Sequence, residues 1–90
     1  MVIKYFADLR LLAKCSEQQV TTAPATLQSL LTELAGQHGP AFQKRLFTDG
    51  QLSKAVVVMV NGHNVRNLAG LETALGADDT VSILPVVAGG

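Results

Sequence analysis

Ninety residues with 48% apolar and 16% charged side chains suit one small globular domain and leave no room for two independent cores. Seven basic side chains cancel seven acidic ones, which argues against nucleic acid or an anionic membrane as the main partner. The single cysteine, Cys15, excludes an intrachain disulfide framework and any multi-thiolate metal site; with no basic leader and no apolar span, a cytoplasmic protein is expected.

Val2 to Leu9 is β-branched and aromatic enough to predict a strand, with Ile3, Tyr5, Ala7 and Leu9 on the core face and Val2, Lys4, Phe6 and Asp8 on the other. A turn over Ala13 to Ser16 leads to a second, antiparallel strand over Glu17 to Thr22, whose low apolar content suits a sheet edge. Thr26 then offers an N-cap hydroxyl to a run in which Leu27, Leu30, Leu31 and Leu34 recur at helical spacing. Gly39-Pro40 should end that helix, and Pro40 should open a short one that turns Phe42 and Leu46 inward.

Asp49-Gly50 marks a turn ahead of Ala55 to Val60, a run too short for a core helix and β-branched enough to predict a buried central strand. Asn61-Gly62 supplies a type I′ turn, so His63-Asn64-Val65 should return antiparallel. Leu68, Leu71 and Leu75 suggest a loop or single helical turn that plugs one end of the core. Asp78-Asp79 turns the chain into a last strand, Thr80 to Leu84, and Pro85 ends its ladder. The class is therefore α+β: a mixed sheet with one long helix packed on one face.

The other face is left open. With Val56, Val58, Val60, Val81 and Ile83 turned to the helix, Phe6, Val57, Met59 and Leu84 share the outer surface, an apolar patch suited to a protein partner. Arg10, close behind Phe6, is placed to pair with an acidic group on such a partner. Lys4, Lys54 and Arg66 read as solvated charges around the patch. His38, in the last helical turn where positive charge suits the helix dipole, and His63, after a tight turn, read as surface residues. Neither has further ligands at plausible spacing, so no metal site is expected. Cys15 reads as an inert thiol, and nothing resembles a nucleophilic triad.

Residues 1–85 form the body of this prediction, and Val86-Val87-Ala88-Gly89-Gly90 form a tail without polar side chains. One reading of Gly89-Gly90 is a frayed end. The other is chemical: a terminal carboxylate on a stalk without side chains can thread a narrow active site. A carboxylate is a poor electrophile, so this use requires activation by a nucleotide. The chain has no G-x-x-x-x-G-K-[ST] and no G-x-G-x-x-G, so the nucleotide belongs to a partner and no cofactor is expected on this chain.

The opening Ile3-Lys4-Tyr5-Phe6-Ala7-Asp8-Leu9-Arg10, the hairpin Val60-Asn61-Gly62, the strand Asp79-Thr80-Val81-Ser82-Ile83-Leu84-Pro85 and the closing Gly89-Gly90 together resemble the MoaD/ThiS family of ubiquitin-like sulfur carriers. The Phe6-Ala7-x-Leu9-Arg10 segment and the helix length are most similar to the small subunit of molybdopterin synthase. The resemblance implies a β-grasp fold and a cycle. An E1-like adenylyltransferase of MoeB type uses ATP to adenylate Gly90, which becomes a thiocarboxylate. The tail then enters a MoaE-type large subunit, in a heterotetramer, and delivers sulfur for the molybdenum cofactor. Gly90 would react, Gly89 would leave its carbonyl unhindered, Val86, Val87 and Ala88 would lie in the partner's channel, and Phe6, Val57, Met59 and Leu84 would dock the body. Three alternatives stand beside this: a sulfur carrier for thiamin, tungsten cofactor or cysteine; a ubiquitin-like modifier joined to lysines; and a binding module with an inert tail.

Overall fold

The computed structural model of the chain describes residues 1–22 and 24–86. Strand β1 (Val2–Tyr5) buries Ile3 and Tyr5, as its alternation predicts, but ends four residues early. Ala7 takes a left-handed φ of 54°, which breaks the extended run and starts a short helix, α1 (Asp8–Ala13). Leu9 is buried from that helix, while Ala7 is exposed. Lys14, at φ 61°, closes α1 in the left-handed conformation, and β2 (Glu17–Gln19) runs antiparallel to β1 as an edge strand. The helix replaces the expected second half of the first strand, and the turn expected around Ala13 to Ser16 follows it at Lys14 to Ser16.

Helix α2 (Leu27–His38) begins where the Thr26 hydroxyl accepts from the Ser29 amide at 3.2 Å, and its leucine stripe is fully buried. Gly39, at φ 97°, ends it, and Pro40 opens α3 (Pro40–Leu46), which buries Phe42 and Leu46. Around the Asp49-Gly50 turn, β3 (Phe47–Thr48) and β4 (Gln51–Leu52) form a minimal hairpin that lies outside the main sheet. Strand β5 (Val56–Val60) turns through Asn61 and Gly62, both at positive φ, into β6 (His63–Asn64). Val65 leaves that strand for the first of two 3-10 turns, Val65–Asn67 and Gly70–Glu72. Leu71 and Leu75 pack against the core, whereas Leu68 is half exposed. The last strand, β7 (Thr80–Pro85), runs one residue further than predicted because Pro85 still pairs with Val56.

The sheet order is β2-β1-β7-β5-β6. Strand β7, not β5, is therefore central: it runs parallel to β1, with Ile3 beside Val81 and Tyr5 beside Ile83, and antiparallel to β5. A parallel pair joins segments far apart in sequence, so no local pattern announces it. The inner sheet face and the leucine stripe of α2 close one core that includes Ile3, Tyr5, Phe42, Val58, Val81 and Ile83.

His38 departs from its surface reading. Its ring lies 4.9 Å from the Phe42 ring and edge-on to Tyr5 at 5.7 Å, and its Nε2 is 3.0 Å from the Gln18 Oε1 that also accepts from the Tyr5 hydroxyl at 2.7 Å. Burial pushes the imidazole below its ordinary value and the Tyr5 phenol above its own, the latter helped by the nearby Cys15. A depressed histidine pKa makes the unfolded chain take up the proton first as pH falls. Stability from this site is therefore complete above about pH 6.5 and is lost as pH drops through the folded-state value. Urea midpoints between about pH 8 and about pH 5 should fall more for the native chain than for His38→Phe. Parallel curves would remove His38 from the pH dependence.

Candidate docking face and tail root

Pairing of β7 with β5 sets Leu84 directly opposite Val57 and Ser82 opposite Met59, all four half-buried on the face away from the helix. Phe6 lies one residue beyond β1, and its amide donates to the Ile83 carbonyl at 3.1 Å, which holds it one register step past the Tyr5–Ile83 pair. Its side chain is 40% exposed. The four residues expected to share the outer face are thus brought to it, with Phe6, Val57 and Leu84 at the end where the tail leaves. Val2 belongs to the same surface by strand parity, a signal present in the alternation of β1. Arg10 does not continue that strand: it is exposed on α1.

The tail root is fixed by backbone geometry. Beyond the Pro85–Val56 pair, the Val86 amide donates to the Ala55 carbonyl at 2.9 Å, and the Val86 side chain is 49% exposed. That carbonyl also accepts from Arg45 Nη1 at 3.2 Å, and Arg45 Nε donates to Asp8 Oδ2 at 2.9 Å. The guanidinium holds the Asp8 carboxyl below the usual carboxylate range, mainly through this hydrogen bond. Arg66, read from sequence as a solvated charge, is exposed and also donates to the Val56 and Ser53 carbonyls at 2.9 and 2.8 Å. Two arginines therefore hold the link into β5, and neither role has a signature in sequence. Val87, Ala88, Gly89 and Gly90 lie outside the described residues.

A groove of about 540 Å³ runs along the β3–β4 hairpin and reaches Ala55, but the apolar outer face is a separate surface. Among the described residues no three His, Cys, Asp or Glu side chains gather as a metal site, and no helix is long and apolar enough to cross a membrane. Cys15 is a free thiol partly covered by the core. This arrangement sets an apolar outer face beside Val86, the last described residue.

Residues 3–90 match the model of the ThiS family. A putative sulfur carrier protein of Archaeoglobus fulgidus is 40% identical over 80% of this chain and 82% of its own length. Small archaeal modifier protein 3 of Haloferax volcanii is 42% identical over 77% of this chain and 70% of its own. Sulfur carrier protein CysO of Mycobacterium tuberculosis is 34% identical, with 82% of each chain covered. Among solved structures, small archaeal modifier protein 1 of Methanosarcina acetivorans superposes with a TM-score of 0.85 at 32% identity, covering 99% of this chain and 94% of that one. The Amycolatopsis orientalis BexX/CysO complex contains a chain that matches with a TM-score of 0.85 at 28% identity, covering 99% and 98%. The putative molybdopterin converting factor subunit 1 of Pyrococcus furiosus gives 0.77 at 28%, covering 96% and 95%. The fold is the ubiquitin-like β-grasp.

Proposed function

Because the chain belongs to the ThiS family of ubiquitin-like sulfur carriers, we propose that its working group is the Gly90 carboxylate, loaded with sulfur as a thiocarboxylate. The observation that carries this reading is the family match, which runs through the Gly89-Gly90 pair. In this reaction an E1-like adenylyltransferase joins the carboxylate to the α-phosphate of ATP, and pyrophosphate leaves. Sulfide, or a persulfide whose S–S bond is then cut by a thiol, attacks the carbonyl carbon, and AMP leaves with one carboxylate oxygen. Glycine at positions 89 and 90 leaves that carbon open to approach, since no Cβ stands beside it. The chain supplies the carried sulfur, and its partners supply ATP and the catalytic groups.

In the same reading Phe6, Val57, Met59 and Leu84 dock the body, while Val86 to Ala88 line up in the partner's channel. Met59→Glu is expected to weaken the complex with the activating enzyme by about 2 kcal/mol, roughly thirtyfold in Kd, because a carboxylate must lose its water on docking. The thermal midpoint should move far less than for a core substitution, since Met59 is half-buried on the outer face rather than packed in the core. Unchanged affinity by titration calorimetry would remove this face from the mechanism.

For the sulfur acceptor we infer the molybdopterin pathway, with a MoaE-type large subunit in a heterotetramer. Support comes from the Phe6-Ala7-Asp8-Leu9-Arg10 segment and from the likeness to the Pyrococcus furiosus protein. The CysO and archaeal modifier relatives favour a second reading, in which the sulfur goes to cysteine synthesis or Gly90 is joined to target proteins. Intact mass after incubation with the E1-like enzyme, ATP and sulfide tests the carrier reading. One oxygen exchanged for sulfur at Gly90 supports it, and an unchanged mass with an enzyme active on another carrier overturns it. Dithiolene formation with the large subunit, against isopeptide-linked products, then separates the clients.

A further inference from the structure

Resting on the carrier reading, we propose that Arg45 is a positioning residue that fixes the direction in which the tail leaves the body. Extended in a partner's channel, the four residues beyond Val86 would reach at most about 14 Å, and a tilt of roughly 15° at the root would then displace the last carbonyl carbon by nearly 4 Å. That is as large as the separation between reacting atoms, so an unsteady root would carry the carboxylate out of range. The last described bond holding the tail runs from the Val86 amide to the Ala55 carbonyl. Its acceptor lies in the loop between β4 and β5, outside any strand. The bond fixes the root only as firmly as that loop is held, and the loop's other ties are the Ala55 amide to Ser53 Oγ at 3.1 Å and Arg66 to the Ser53 carbonyl.

Arg45 ties the acceptor itself. From the last turn of α3 its Nη1 donates to the second lone pair of the same carbonyl, while Nε is held by Asp8 at the start of α1. Asp8 stands two residues after Phe6, whose amide is bonded to Ile83. One guanidinium therefore ties the tail root to the segment that carries Phe6 on the docking face. A partner that grips the face then meets the tail at a set angle. The planar fork matters: it presents two separate donor nitrogens to the two acceptors, whereas lysine offers a single nitrogen.

The test is loading kinetics of the native chain, Arg45→Ala, Arg45→Lys and Asp8→Asn with an E1-like adenylyltransferase, ATP and sodium sulfide, read by intact mass, beside amide hydrogen exchange. Docking groups are untouched, so the half-saturating carrier concentration should stay within about twofold. The maximal loading rate should fall about tenfold for Arg45→Ala, and less for Arg45→Lys and Asp8→Asn. The Val86 amide should exchange about tenfold faster in Arg45→Ala while core amides such as Val58 keep their protection. A maximal rate within twofold of native in folded Arg45→Ala, or unchanged Val86 exchange, overturns the proposal. Should Arg45→Ala fail to fold, Arg45→Lys and Asp8→Asn carry the same comparison. If the native chain itself is never loaded, the carrier reading falls, and Val86 exchange alone still decides whether Arg45 holds the root.

Discussion

A chain ending at Ala88 is expected to remain folded and to accept no sulfur. Removing Gly89 and Gly90 shortens the reach of the tail by about 7 Å, twice the distance that separates reacting atoms in a productive complex. No binding elsewhere makes up that gap, so loading should fall at least about a thousandfold, below detection by intact mass. The body should not respond: its described hydrogen bonds end at Val86, and the thermal midpoint should stay within about 2 °C. Affinity for the activating enzyme should be largely retained through Phe6, Val57, Met59 and Leu84, making the truncated chain a competitive inhibitor of native loading. Sulfur found on the truncated chain, or loss of its fold, would refute this division between body and tail.

Phe42→Ala is expected to have the largest effect on stability. Phe42 is fully buried, packed edge-on to Tyr5 at 5.9 Å and tilted against His38 at 4.9 Å, where α3 meets the sheet. Deleting a buried phenyl ring costs about 3 to 5 kcal/mol, counting both lost transfer energy and the cavity left behind. A domain of this length has roughly 5 to 10 kcal/mol in total, so the variant should sit near the edge of folding. Its urea midpoint should fall by about half, and its Tyr5 and His38 side chains should lose their fixed environment. Leu11→Ala supplies the control: Leu11 is 79% exposed on α1, and its truncation should stay within about 0.5 kcal/mol. Equal losses in the two variants would refute this placement of the core.

Much of this body is legible without coordinates because its signals are local. The leucine stripe of α2, the Thr26 cap, the Gly39-Pro40 break, the valine run of β5 and the Asn61-Gly62 turn each lie within a few residues of what they specify. Strand parity likewise places Phe6, Val57, Met59 and Leu84 on one face. Helix α1 escapes for a physical reason. Leu9 is buried in either conformation, and the break at Ala7 is a left-handed residue that is neither glycine nor asparagine, so nothing in its chemistry announces it. The central position of β7 depends on a parallel pairing across the whole chain, and the Arg45 bridge joins residues 8, 45 and 55. Such long-range contacts have no periodicity to read.

The placement of β7 between β1 and β5 also bears on how the molecule is made. The middle of the sheet is the last strand to be synthesised, and the first strand has its parallel neighbour only when Thr80 to Pro85 have emerged from the ribosome. Until then β1 and β5 have an empty lane between them, and the leucines of α2 lack the surface they cover. A nascent chain interrupted anywhere before Thr80 therefore presents exposed apolar segments to chaperones and proteases. Completion of the body and arrival of the segment that leads into the tail are therefore a single event in translation.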